Sequence, residues 1–165
     1  AASDVYKRQQ LGPGAKRDRA VELGVAYEKW GERRYPLDSY PRLRTAMGIS
    51  ETAALMSSSF GLGQVMGFNH ALAGYDTVQE MVRDFAEDEE HQLRAMVRFI
   101  KATGIDDELR RHDWRGFARI YNGPGYERHG YHTRLKERYE WWSEKPDTPW
   151  QPAMSGCACP CPASV

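Results

Sequence analysis

Between Thr77 and Ile100 the apolar residues Val78, Met81, Val82, Phe85, Leu93, Met96, Val97 and Ile100 recur three and four positions apart. That spacing puts them on one stripe of a helix and rules out a half-buried strand, whose side chains alternate with a period of two. Thr77 followed by Glu80 supplies a capping box for its start, with Asp76 as a second candidate cap. Glu89 falls on the same stripe. One unbroken helix would be long without an internal stop, so the pattern predicts two helices meeting near Glu87 and Asp88. If Glu89 does face inward, it is a structural acid bracing a neighbouring loop, because a buried carboxylate must be paired or protonated. Gly104 ends the region.

The same periodicity recurs along the chain, and strand-like alternation is nearly absent. A first amphipathic stretch runs from about Ala15 to Trp30, with Ala20, Val21, Val25 and Trp30 inward. A second covers Leu37 to Met47, with Tyr40, Leu43 and Met47 on one face. Ser50 is placed to cap Glu51 to Met56, and Asp113 to cap Trp114 to Tyr121, each offering a side-chain oxygen to an orphan amide. Asn122, Gly123 and Pro124 stop the latter helix. A last helix is expected from Thr133 to Ser143, carrying Leu135, Tyr139 and Trp142. The fold class is mostly α, in a single compact domain with disordered ends.

The ends read differently from the middle. Asp4-Val5-Tyr6-Lys7-Arg8-Gln9 resembles the translation of a transposon end carried over from library preparation, so residues 1–10 are set aside as non-native and the domain is placed at 11–144. On that reading the natural N-terminus lies further upstream. Residues 145–165 read as a linker or disordered tail, rich in Pro and small residues. All three cysteines, Cys157, Cys159 and Cys161, fall there. One-residue spacing is poor for zinc, and an odd count gives no closed disulfide framework. No apolar stretch is long enough to cross a bilayer. Lys plus Arg equals Asp plus Glu, 23 against 23, which speaks against nucleic acid as the main partner.

Two segments carry candidate chemistry. Ser57-Ser58-Ser59-Phe60-Gly61-Leu62-Gly63-Gln64-Val65-Met66-Gly67-Phe68-Asn69-His70 combines small residues, an amide pair and apolar side chains. Its glycines permit tight turns and clear side chains from a surface that a ligand could approach. Gln64 and Asn69 each offer donors and an acceptor, suited to an acetamido group or a hydroxyl. No Gly-Lys-Ser/Thr follows, so this is not a phosphate loop, and no strand precedes it as a dinucleotide fingerprint requires. Tyr121-Asn122-Gly123-Pro124-Gly125-Tyr126 ends a helix with a polar aromatic and an amide beside a Pro-Gly turn. Taken singly, the first segment is equally a packing turn and the second an ordinary helix stop. His129 and His132, with Glu127, lack a convincing third ligand for zinc. No Ser-His-Asp set or reactive cysteine has supporting context.

The two segments in order, with Leu72-Ala73-Gly74-Tyr75, Gln92-Leu93, Val97-x-Phe99-Ile100 and Trp114-x-x-Phe117-Ala118, resemble the N-acetylmuramidase domain of phage and prophage endolysins, within the lysozyme-like superfamily. The resemblance spans about Tyr35 to Trp142. It implies a lysozyme-like helical fold. It also implies cleavage of the β-1,4 bond between N-acetylmuramic acid and N-acetylglucosamine in bacterial peptidoglycan, without a cofactor or metal. It implies sugar contacts from Ser57, Ser59, Gln64, Asn69, Tyr121 and Asn122, with Met66 and Tyr126 as cleft wall. The implied protein is made in the bacterial cytoplasm, acts on the cell wall and works as a monomer on glycan strands, with no membrane or nucleic-acid partner.

The resemblance is incomplete at one point. Such glycosidases need a carboxylic acid to protonate the leaving oxygen, and in this family it is a Glu early in the domain, in a Val-Glu-Ser-like helix. Glu22 in Val21-Glu22-Leu23-Gly24 is only superficially similar, and Glu28, Glu32 and Glu51 read as solvated helix charges. The acid is therefore expected upstream of residue 11. Three alternatives remain open: a lytic transglycosylase, in which the sugar's own hydroxyl attacks, a non-catalytic peptidoglycan-binding domain, and a structural helical module of a phage particle.

Overall fold

The computed structural model describes residues 4–29 and 36–147. Trp30, Glu32 and the cysteine-bearing tail lie outside the described residues. The chain resolves into two compact units, Ala1–Arg111 and His112–Val165.

In the first unit α1 (Asp4–Leu11) packs against α4 (Glu51–Met56), and α2 (Ala15–Glu22) and α3 (Tyr40–Met47) complete the N-terminal part. α1 lies in the segment that its sequence marks as non-native. There it buries Lys7 to 1 % exposure, and Arg8 reaches Glu28 at 3.0 Å. α2 is shorter than its periodicity predicts. Its C-terminal amides close back at Leu23 and Gly24, and Val25 and Ala26 then turn inward, both donating to the Ala20 carbonyl. Val21 is exposed, so the inward face is Ala20 and Val25 without it.

α4 is the pivot of this unit. Ser50 Oγ accepts from Ala53 N–H at 3.4 Å, as the sequence requires, and Ala53, Ala54 and Leu55 are all buried within one and a half turns. Ala54 joins a small-residue cluster with Ala20, Val25, Ala26 and Ala46. Leu55 joins a second cluster with Val65, Ala73, Tyr75, Val78, Met81, Phe85 and Ala95. A short helix can serve both sides only because its alanines let neighbouring backbones approach.

The long amphipathic stretch is two helices, α5 (Val78–Glu87) and α6 (Glu89–Ala102). Thr77 caps the first through Glu80 N–H at 3.1 Å. Asp88 is extended at φ −155° and caps the second through Glu90 N–H at 2.6 Å. The break changes which face of α6 is buried. Ala95 and Ile100 are inward, while Leu93 and Val97 are 48 % and 45 % exposed. Glu89, at the first position of α6, is exposed and not a buried brace. Tyr75 sits edge-on to Phe85, ring centres 6.2 Å apart, and burial, reinforced by the Asp84 carboxylate, pushes its phenol up. A short α7 (Asp106–Arg110), without a buried residue, ends the unit.

The second unit holds α8 (Trp114–Tyr121) and α9 (Tyr131–Ser143). Asp113 caps α8 through Gly116 N–H at 2.9 Å. His112 adopts φ +57° and stacks on Trp114, ring centres 5.3 Å apart, with Tyr139 of α9 closing on both rings. Phe117 and Ala118 are buried. α9 begins two residues earlier than its periodicity suggests and has no fully buried residue, so Trp142, expected inward, is 63 % exposed.

Candidate functional site

The Gly-rich segment is built outward from the end of α4. Ser57 is fully buried and its hydroxyl donates to the carbonyls of Ala53 at 2.7 Å and Ala54 at 3.1 Å. Ser58 donates to Ala54 O at 2.9 Å. Both hydroxyls thus turn back onto the end of α4, and Ser57, expected as a sugar contact, presents no exposed surface. The chain then forms a two-stranded antiparallel hairpin, β1 (Ser59–Phe60) and β2 (Val65–Met66), in the register Ser59 with Met66 and Phe60 with Val65. The hairpin is invisible to periodicity because each strand is two residues long.

Gly67 leaves the hairpin into a 3-10 turn, Gly67–Asn69, and donates to Ser58 O at 2.8 Å. It is buried, and a Cβ there would land on the Leu55 carbonyl. Its missing side chain makes room for the protein's own backbone, not for a ligand. His70 then closes the following turn, its Nδ1 lying 3.0 Å from Tyr75 O.

The hairpin loop is fixed at both ends of Gln64. Gln64 takes φ +51°, its Nε2 donates to Gly61 O at 3.0 Å, and its Oε1 accepts from Ser59 Oγ at 2.9 Å. From 30 residues away Gln92 holds the tip: its Oε1 accepts from Leu62 N–H at 3.0 Å and its Nε2 donates to Phe85 O at 2.7 Å. The bracing role expected of Glu89 thus belongs to Gln92, three residues on. An amide suits it better than a carboxylate, because one contact needs an acceptor and the other a donor.

Ser59, Phe60, Gly61 and Gln64 form one wall of a cleft of about 530 Å³ whose other wall is the chain entering α3, residues 36–40, with Leu43. Of the eight predicted contact and wall residues, this cleft gathers Ser59 and Gln64. Met66 and Asn69 are half-buried and do not line it. Two aromatic side chains stand where periodicity does not put them. Tyr40, assigned to an inward face, is 71 % exposed and lines the cleft, because it starts α3 ahead of the residues that pack. Phe60 lines it from the opposite wall. Asp38 brings a carboxylate to the lining, its Oδ1 accepting from Tyr40 N–H at 2.9 Å just ahead of α3.

The other acids considered from sequence are on the surface. Glu22 pairs with Arg19 at 2.7 Å, and Glu28 with Arg8 at 3.0 Å. Glu51 is exposed at the first position of α4.

In the second unit Tyr121 stacks on Phe117, ring centres 5.1 Å apart at 18°, and burial pushes its phenol up to about 12. Asn122 is exposed at the helix end, and Gly123 follows at φ +78° with nothing within 4 Å of the place a side-chain methyl would take. Tyr126 donates to Glu127 Oε1 at 3.1 Å, and Glu127 also holds Arg115 at 2.5 Å. The imidazoles that sequence spacing offers to zinc face aromatic rings: His132 lies edge-on to Tyr126 and His129 is tilted against Tyr131. Among the described residues no three His, Cys, Asp or Glu converge to hold a metal, and no helix is long and apolar enough to cross a membrane.

Comparison with known proteins places this architecture. The chain is similar to the endolysin of Burkholderia phage AP3 in its crystal structure, with 29 % identity and a TM-score of 0.73. The match covers 87 % of this chain and 56 % of that one, so the chain spans little more than half the length of the endolysin. No curated protein matches it. The family model described as N-acetylmuramidase matches residues 5–143, from α1 to the last residue of α9. With a helical scaffold, a short hairpin at the head of the Gly-rich segment and the family match running through both units, the chain belongs to the N-acetylmuramidase family.

Proposed function

We propose that this chain is the glycan-cleaving domain of an endolysin-type peptidoglycan hydrolase, acting on the β-1,4 bond between N-acetylmuramic acid and N-acetylglucosamine. The observation that carries it is the family match over residues 5–143. The cleft between the Ser59–Gln64 hairpin and the start of α3 supports it. Gln64 and Ser59 meet acetamido and hydroxyl groups there, since an amide and a hydroxyl together supply donors and acceptors. Tyr40 and Phe60 offer aromatic faces to the apolar face of a pyranose. Asn69 and Met66 lie outside that lining, and Tyr121, Asn122 and Tyr126 belong to the second unit. The proton donor is a Glu ahead of residue 11, since Glu22, Glu28 and Glu51 all stand on the surface away from the cleft lining. The domain acts on the cell wall as a monomer after synthesis in the cytoplasm.

Digestion of purified peptidoglycan followed by mass spectrometry tests this. For protein extended to include the segment that carries the acid, the expected product is a reducing N-acetylmuramic end. A 1,6-anhydro end would instead identify a transglycosylase. Binding without new ends would identify a glycan-binding domain, and absence of both binding and cleavage would overturn the proposal.

A further inference from the structure

Beside the sugar cleft lies a second groove of about 740 Å³, and the two share Tyr40, Leu43, Phe60 and Gly61. Its floor is apolar, made by Leu55, Val82 and Phe85 with Met47. Its charged lining is Arg44 from α3, Arg83 from α5 and Glu51 from α4. Both arginines are exposed, and neither forms an ion pair or hydrogen bond with another described side chain. A groove with an apolar floor, two unengaged guanidiniums and a single carboxylate suits a ligand that is itself apolar along its length and carries carboxylates.

We propose that this groove receives the stem peptide of peptidoglycan while the glycan occupies the adjoining cleft. This rests on the glycan reading of the cleft. A stem peptide branches from the lactyl group of N-acetylmuramic acid, presents alanine methyls and carries free carboxylates. A branch leaving the cleft past Tyr40 and Phe60 enters the groove directly, because those side chains wall both. Arg44 and Arg83 then meet its carboxylates, and the Leu55, Val82 and Phe85 floor meets its methyls. The groove would make the domain prefer strands that still bear stems over strands stripped of them.

The test is calorimetric binding of two soluble fragments to the full chain: the disaccharide of N-acetylglucosamine and N-acetylmuramic acid, and the same disaccharide carrying a tripeptide stem. The stem is expected to tighten binding about tenfold, with the gain shrinking as salt rises. The paired substitution Arg44→Ala and Arg83→Ala should remove that gain and leave the bare disaccharide unaffected, with unchanged circular dichroism as the folding control. Gln64→Ala should weaken both fragments by the same factor. A stem that adds no affinity, or arginine substitutions that weaken both fragments alike, would overturn the groove assignment while the cleft reading stands. If neither fragment binds, both fall together.

Discussion

The two glycine-bearing segments use glycine for opposite reasons. In the first unit Gly67 is required by what surrounds it: the backbone at Leu55 and Met56 occupies the place of its side chain. In the second unit Gly123 has open space, and only its left-handed φ of +78° asks for glycine. The first segment is held by the Gly67 N–H to Ser58 O bond and, from 30 residues away, by Gln92, itself anchored on the Phe85 carbonyl. The second is a helix stop whose partners are close in sequence, as with Tyr126 and its neighbour Glu127. One motif is thus a packed, preorganised wall, and the other is a local turn presenting exposed groups. Preorganised hydrogen-bonding groups cost less to align when a ligand arrives, so the hairpin is where substitutions should be felt most.

That contrast can be broken by experiment, starting with the largest effect. Gly67→Ala should destabilise the first unit by about 3 kcal/mol, since a methyl forced into close-packed backbone is overpacking with no side chain able to yield. Chemical denaturation would measure it, and a loss under about 1 kcal/mol would mean that the hairpin exit is not tightly packed. Gln92→Leu should cost about 1 kcal/mol, because it leaves the part-buried Phe85 carbonyl without its donor while water takes over the exposed Leu62 N–H. It should also speed amide exchange at Leu62, and Gln92→Glu should restore only the contact that needs an acceptor. Gly123→Ala should cost about 1 kcal/mol, the ordinary penalty for a non-glycine residue in a left-handed conformation with room around it. If Gly67→Ala and Gly123→Ala cost the same, the distinction between the two segments is gone.

The smallest effect is confined to alkaline solution. The Tyr121 phenol is pushed up to about 12 by burial, against about 10 in an unfolded chain. A raised value means that the folded state resists ionisation. The contribution of Tyr121 is therefore whole below pH 10 and is lost as pH climbs from 10 towards 12. Tyr121→Phe should flatten stability across that window and leave it unchanged in slope at neutral pH. A denaturation series at pH 7, 10 and 11.5 would check this.

Much of the helical frame was legible because its signals are local. Ser50, Thr77 and Asp113 cap their helices through amides three residues away, and Asp88 divides α5 from α6 where the stripe met Glu89. Each of those contacts closes within one turn, so sequence spacing is enough to find it. The site was legible less fully. Gln64 and Ser59 line one cleft, Ser57 is buried against its own helix, and nothing local marks Tyr40 or Phe60 as cleft residues.

The sequence alone determined a mostly α chain, the capped starts of α4, α5 and α8, the break before α6, and its kinship with muramidases, since propensity, caps and ordered motifs are properties of short stretches. Tertiary structure decided which face of α6 turns inward, that Gln92 rather than Glu89 grips the hairpin, and that the residues entering α3 form the second wall of the cleft. Those outcomes depend on contacts between segments some 20 to 30 residues apart, as Gln92 to Leu62 shows. Spacing along the chain carries no record of which distant backbone will arrive beside a given side chain.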